Sequence, residues 1–147
     1  MEMTPKQNEF YALAQAGDAK AIQHMINEHE KKNVQGKGSR RSALKKLLEC
    51  RGIADRTPLH AAAMGDHVEA TKVLIEAGAD VDCEEVELVT PLHIAATHGN
   101  GAIAELLLSA GAKVDPPMGD GSDTPLHLAS REHFDTLGER LLRSGAN

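Results

Sequence analysis

The chain has 147 residues, the length of one ordinary domain, with 41% hydrophobic and only 2% aromatic side chains. A core so poor in aromatics must be built from Ala, Leu, Ile and Val in thin helical layers, and it lacks the stacking platforms that single-stranded nucleic acid needs. The net charge of −6 is uneven: residues 28–56 carry +5 and the remainder −11, so an acidic body that repels nucleic acid and anionic membrane holds one basic insert.

The opening residues, MEMTPKQNEF, hold no apolar signal region, and no apolar run reaches the roughly 18 residues of a membrane helix. Cys50 and Cys83 therefore read as reduced thiols, in a cytoplasmic or nuclear setting. They cannot by themselves supply the four ligands of a structural zinc site. The stretch FYALAQAGDAKAIQHMI, within Asn8–Ile26, reads as a degenerate copy of the repeat described below, aligning Gly17 with Gly99 and placing Phe10, Leu13, Ala14, Ile22, Met25 and Ile26 on the core face. Lys6, Gln7, Gln15, Lys20 and Gln23 fall on a polar outer face. NVQGKGSRR follows, glycine-rich and basic, and reads as a mobile connection. In SALKKLLEC, Leu44, Leu47 and Leu48 have helical spacing behind Ser42 as an N-cap, so a short inserted helix is expected near residues 42–50. The sequence Ser39-Arg40-Arg41-Ser42 also offers hydroxyls to a basic-directed kinase.

From Thr57 the chain repeats itself. TPLHAAAMGDHVEATKVLIEAGADVD begins at Thr57, TPLHIAATHGNGAIAELLLSAGAKVD at Thr90 and TPLHLASREHFDTLGERLLRSGAN at Thr124, spaced by 33 and 34 residues. Each Thr can cap a helix whose first residue is Pro, which needs no hydrogen-bond partner there. Leu59, Ala62 and Ala63 recur as Leu92, Ala95 and Ala96 and as Leu126, Ala129 and Ser130, small residues that let neighbouring helices approach. A second helix, around Val73–Ile75, Leu106–Leu108 and Leu141–Leu142, ends at Gly78, Gly111 and Gly145, suited to left-handed C-caps.

These residues resemble ankyrin repeats. The resemblance implies an all-α ankyrin-repeat solenoid of about four helix-turn-helix repeats in a single domain, 1–147. Its parts are an N-terminal capping repeat (1–32), a basic insert with a short helix (33–56), two full repeats (57–89 and 90–123) and a C-terminal capping repeat (124–147). It also implies structural roles for His60, His93 and His127, which occupy one repeat position, and for His67. Those three histidines should stand roughly 10 Å apart, too far to share a metal. No catalytic or phosphate-cradling motif is present, so no enzyme activity, cofactor or metal is expected.

Departures from the repeat pattern point to a binding face. The position two before Thr90, where the turn between repeats wants glycine, is Leu88 in DCEEVELVT. Leucine resists positive φ, so this finger should be reshaped, exposing Val86 or Leu88 beside Glu84, Glu85 and Glu87 or packing them on the neighbouring finger. Before Thr57 the finger IADR looks cut short; before Thr124 an extra residue falls on one side or the other of Gly121. The resemblance implies binding of a protein through the concave surface of finger tips and first helices. There the expected contact residues are Arg56, Met64, Glu84, Glu85, Glu87, Leu88, Val89, Thr97, His98, Asp120, Asp123 and Arg131. The acidic fingers, Asp80–Glu87 and Asp115–Asp123, favour a partner with a Lys/Arg-rich segment. The reading is thus an adaptor or regulatory scaffold, expected to be a monomer, with no nucleic acid and no membrane span. Two alternatives remain: a fragment or subunit of a larger regulatory protein, and a module whose basic insert binds anionic lipid or nucleic acid. Gly138 inside the last second helix and the polar residues Arg131, Glu132, Glu139, Arg140 and Arg143 favour a true end at Asn147.

Overall fold

The computed structural model describes residues 2–32, 40–121 and 123–147, and the described residues form helices joined by turns, with no strand beyond one isolated bridge, Met118–Asp123. The expected mobile connection falls mostly on residues 33–39, outside the described residues. Contacts divide the chain into two compact units, Met1–Asp80 and Val81–Asn147.

The first unit holds α1 (Pro5–Ala16), α2 (Ala19–Lys32), α3 (Arg40–Leu48), α4 (Pro58–Met64) and α5 (Val68–Glu76). First helix packs on first helix, α1 against α4, and second on second, α2 against α5, which is how one helix pair buries the face that it cannot bury alone. Phe10, Ala14, Ile22 and Ile26 are buried between them as expected, while Leu13 and Met25 are only half-buried. The inserted helix exists, but it begins at Arg40, so Ser42 lies within its first turn and is not its cap. Leu47 and Leu48 bury this helix against α2. Gln7, expected on the solvent face, instead donates from Nε2 to the Lys46 carbonyl at 3.0 Å and ties α1 to the insert.

The second unit holds α6 (Pro91–Thr97), α7 (Gly101–Ser109), α8 (Pro125–Arg131) and α9 (Asp135–Arg143), again with α6 on α8 and α7 on α9. Each second helix closes as the sequence predicts. Gly78, Gly111 and Gly145 take φ of 97°, 89° and 99°, and the next residue's N–H reaches back to the carbonyl of Leu74, Leu107 or Leu141 at 3.0 Å. Two aspartates knit successive repeats together: Asp82 accepts the Lys113 N–H at 2.8 Å, and Asp115 accepts the Asn147 N–H at 3.0 Å. These two carboxylates, counted in the sequence among those facing a partner, are engaged inside the fold.

Gly138 sits buried in α9, where an added Cβ would meet only Leu126 at 3.9 Å, ordinary van der Waals contact. Gly138→Ala should therefore raise stability by about 0.5–1 kcal/mol in urea unfolding, because alanine loses less backbone freedom in a helix. A loss of stability would mean that the methyl group is not accommodated.

Candidate functional site

The three T-P-L-H segments build one local device. The N–H of Thr57, Thr90 and Thr124 donates to Nδ1 of His60, His93 and His127 at 3.3, 3.1 and 3.3 Å, while each Thr hydroxyl lies 2.9–3.0 Å from the same nitrogen. Nδ1 accepts a backbone proton, so the ring's own proton resides on Nε2. His60 and His93 are buried and His127 is exposed, so in the last repeat the cap survives without the burial. Within its repeat, each of these rings is a helix cap. The first repeat uses the same reciprocal arrangement with different residues: the Thr4 N–H donates to Gln7 Oε1 at 2.9 Å, and the Gln7 N–H to Thr4 Oγ1 at 3.3 Å.

His67 begins α5 and crosses between repeats, its Nε2 3.0 Å from the Gln15 carbonyl. Its ring fills the space over Gly17 and Gly65, so no side chain fits at either glycine. In the second unit Phe134 takes the equivalent place over Gly99.

The fingers depart from expectation. The one before Thr57 is not cut short: Gly52 N–H donates to the Arg56 carbonyl at 2.8 Å, just as Glu85 N–H donates to the Val89 carbonyl at 2.9 Å. Nor is the second finger reshaped. Glu87 and Leu88 adopt φ of 66° and 63°, and Ala54 and Asp55 in the first finger adopt 58° and 60°. Closure of the hairpin imposes the left-handed turn on residues that disfavour it. In the third finger Met118 N–H donates to the Asp123 carbonyl at 2.9 Å, and Gly121 holds φ of 88° in the place that Leu88 occupies one repeat earlier, so the extra residue follows the glycine. The second and third fingers are joined by the Gly119 N–H, which donates to the Glu87 carbonyl at 2.7 Å.

The expected contact residues separate into two groups. In the first unit Arg56 and Met64 meet, Nη1 to Sδ at 3.6 Å. In the second unit Asp123 and Arg131, eight residues apart in the same way, form an ion pair at 3.2 Å that offsets one finger carboxylate. Glu84, Glu87, Leu88, Thr97, His98, Asp120 and Arg131 are exposed; Glu85, Val89 and Asp123 are half-buried. His98 Nδ1 lies 2.8 Å from the Ile94 carbonyl, which fixes the ring at the end of α6. Val86 and Leu88 are 57% and 44% exposed, and so do not pack away on a neighbouring finger. Sequence reasoning missed Ile53, the residue 33 before Val86, which is 86% exposed at the tip of the first finger. The repeat register would have placed it there.

Cys50 is a free, buried thiol. Burial pushes its thiol up to about 11, against a partial pull from its own backbone N–H and from Arg51. Among the described residues, no group of three or more His, Cys, Asp or Glu side chains is arranged to hold a metal ion, and no helix is long and apolar enough to cross a membrane.

A family model of ankyrin repeats, three copies, matches residues 10–118. The chain belongs to the ankyrin repeat family. From Phe10 onward the match takes in the irregular N-terminal pair α1–α2, which the tripled T-P-L-H motif alone did not reach. Beyond it, α8 and α9 repeat the Thr–His cap and the glycine turn of the matched copies. Ankyrin repeats are generally protein–protein interaction modules, and the family is typically non-enzymatic.

Proposed function

We propose that the protein is an adaptor or regulatory scaffold whose second unit captures a Lys/Arg-rich segment of a partner protein on its finger tips and first helices, α6 and α8. The supporting observation is the distribution of charge. Val81–Asn147 contains eleven acidic and four basic residues, a net −7, while Met1–Asp80 is close to neutral at +1. Three of those carboxylates, Glu84, Glu85 and Glu87, surround the apolar side chains of one finger. A field of one sign around an exposed apolar anchor speeds encounter with an oppositely charged partner and selects against acidic ones. Arg56 and Met64 occupy the equivalent positions of their own repeat in the first unit.

The test is an array of Lys/Arg-rich 15-residue peptides beside acidic counterparts, probed with the full chain and with the triple variant Glu84→Lys, Glu85→Lys, Glu87→Lys. Glu84 and Glu87 are exposed, where charges contribute little to stability, and Glu85 is half-buried, so the folding of the triple variant is checked by circular dichroism before binding is compared. The wild type should select basic peptides. The variant should associate about tenfold more slowly at low salt, and the difference should shrink at high salt. Equal binding by both proteins at both salt concentrations would place the interface away from this finger.

A further inference from the structure

The fingers differ in what stands at their left-handed positions. In the third finger these are Gly119 and Gly121, with φ of 60° and 88°. In the second finger they are Glu87 and Leu88, with φ of 66° and 63°. A side chain in this region crowds its own backbone, and glycine does not. The first finger closes the same hairpin with Ala54 and Asp55, and the longer third finger uses glycine, so the hairpin itself does not require leucine. Nor does the core: Leu88 is 44% exposed. Closure of the hairpin accounts for the backbone, as it does at Ala54 and Asp55 in the first finger, but neither it nor the core accounts for an exposed leucine at the tip.

We infer that Leu88, held in this strained turn together with Val86, is a preformed apolar anchor for an extended partner segment in which one apolar residue is flanked on both sides by Lys or Arg. The inference rests on the reading of the acidic finger given above and specifies what sits at its centre. The chemistry follows from the tip. Val86 and Leu88 are exposed on either side of Glu87, so an apolar side chain set against them brings its flanking cations toward Glu84, Glu85 and Glu87. The tip is fixed before binding. Leu88 N–H donates to the Glu85 carbonyl at 3.1 Å, and the neighbouring finger holds the Glu87 carbonyl. A partner then meets a surface whose ordering is already complete, which favours affinity. Apolar anchors of this kind carry most of the affinity of an interface, while the charges around them govern its rate.

The experiment uses nine-residue peptides of alternating Lys and Arg with a central Leu, Phe or Gly, measured against the full chain, Leu88→Gly, Val86→Ser and the triple Glu→Lys variant. Leu88→Gly should raise Tm by about 2 °C by releasing the strained turn, and weaken binding of the Leu- and Phe-centred peptides about tenfold. Val86→Ser should weaken the same peptides without raising Tm. Salt dependence should stay unchanged in both, because the carboxylates remain. The wild type should bind the Gly-centred peptide no better than Leu88→Gly does. Full affinity in both single variants would overturn the anchor. If instead the wild type binds no basic peptide, or binds with no loss in the triple Glu→Lys variant, the acidic-finger reading itself fails.

Discussion

Gly99→Ala should lower the stability of the protein by about 2–4 kcal/mol, although it adds a single methyl group to a half-buried surface turn. Two independent effects combine. Gly99 has φ of 69°, where a side chain costs about 1–2 kcal/mol. An added Cβ would also lie 2.6 Å from the Phe134 ring, closer than carbon atoms can approach, so the ring or the turn must move. Phe134 opens α9 and lies over the α6–α7 turn, so its displacement disturbs the stacking of one repeat on the next. Urea unfolding of a double-mutant cycle separates the two effects. In a Phe134→Ala background the ring is gone, and Gly99→Ala should cost only the backbone part, about 1–2 kcal/mol. An equal cost in both backgrounds would show that the ring does not press on the turn. Gly17 and His67 form the corresponding pair in the first unit, where the His67 ring occupies the same space and also bonds the Gln15 carbonyl.

The parts of this fold that were legible in the sequence are those ruled by short-range chemistry. Thr–Pro starts and glycine stops are decided within four residues, and each fell where the repeat register put it. Thr4 and Gln7 obey the same rule and were overlooked because Lys6 and Gln7 stand where the other repeats have Leu and His, yet a Thr followed three residues later by Gln is itself a helix-start signal. The conformation of Leu88 was misjudged for a different reason. Its local preference is real, but the Glu85–Val89 and Glu85–Leu88 hydrogen bonds close the hairpin around it and override that preference. The roles of Asp82 and Asp115 depend on partners 31 and 32 residues away, which no local rule anticipates. Of the proposed binding face, the sequence supplied the residue types, and the register could have supplied Ile53. Which carboxylates are used inside the fold, and that Val86 and Leu88 point outward, required the packing.

His93→Ala should cost about 2–4 kcal/mol, and the size of that cost should depend on pH. His93 is wholly buried, and its Nδ1 accepts the Thr90 N–H at 3.1 Å, so truncation leaves a cavity and a backbone donor without its acceptor at the start of α6. Among the described residues its Nε2 makes no hydrogen bond of ordinary geometry, and the Pro116 and Asp123 backbone near the ring interacts with it only weakly. The ring is thus held neutral. Burial lowers its pKa from 6.5, and the backbone of Asp123 and Pro116 and the carboxylates of Asp123 and Glu84 oppose this only in part. In the unfolded chain His93 takes up a proton as pH falls through about 6.5. In the folded chain it does not until the lower folded pKa is reached. The unfolded state therefore binds more protons in that window, and stability contributed at this position is present above pH 6.5 and lost progressively below it. His93→Gln places a non-titrating amide at the same point, so the stability difference between wild type and His93→Gln should narrow as pH falls from 7.5 to 5. The measurement is urea unfolding of both proteins across that range. Parallel curves would mean that His93 binds protons equally in the folded and unfolded chains, and a gap that widens toward acid would mean that the folded protein stabilises the imidazolium.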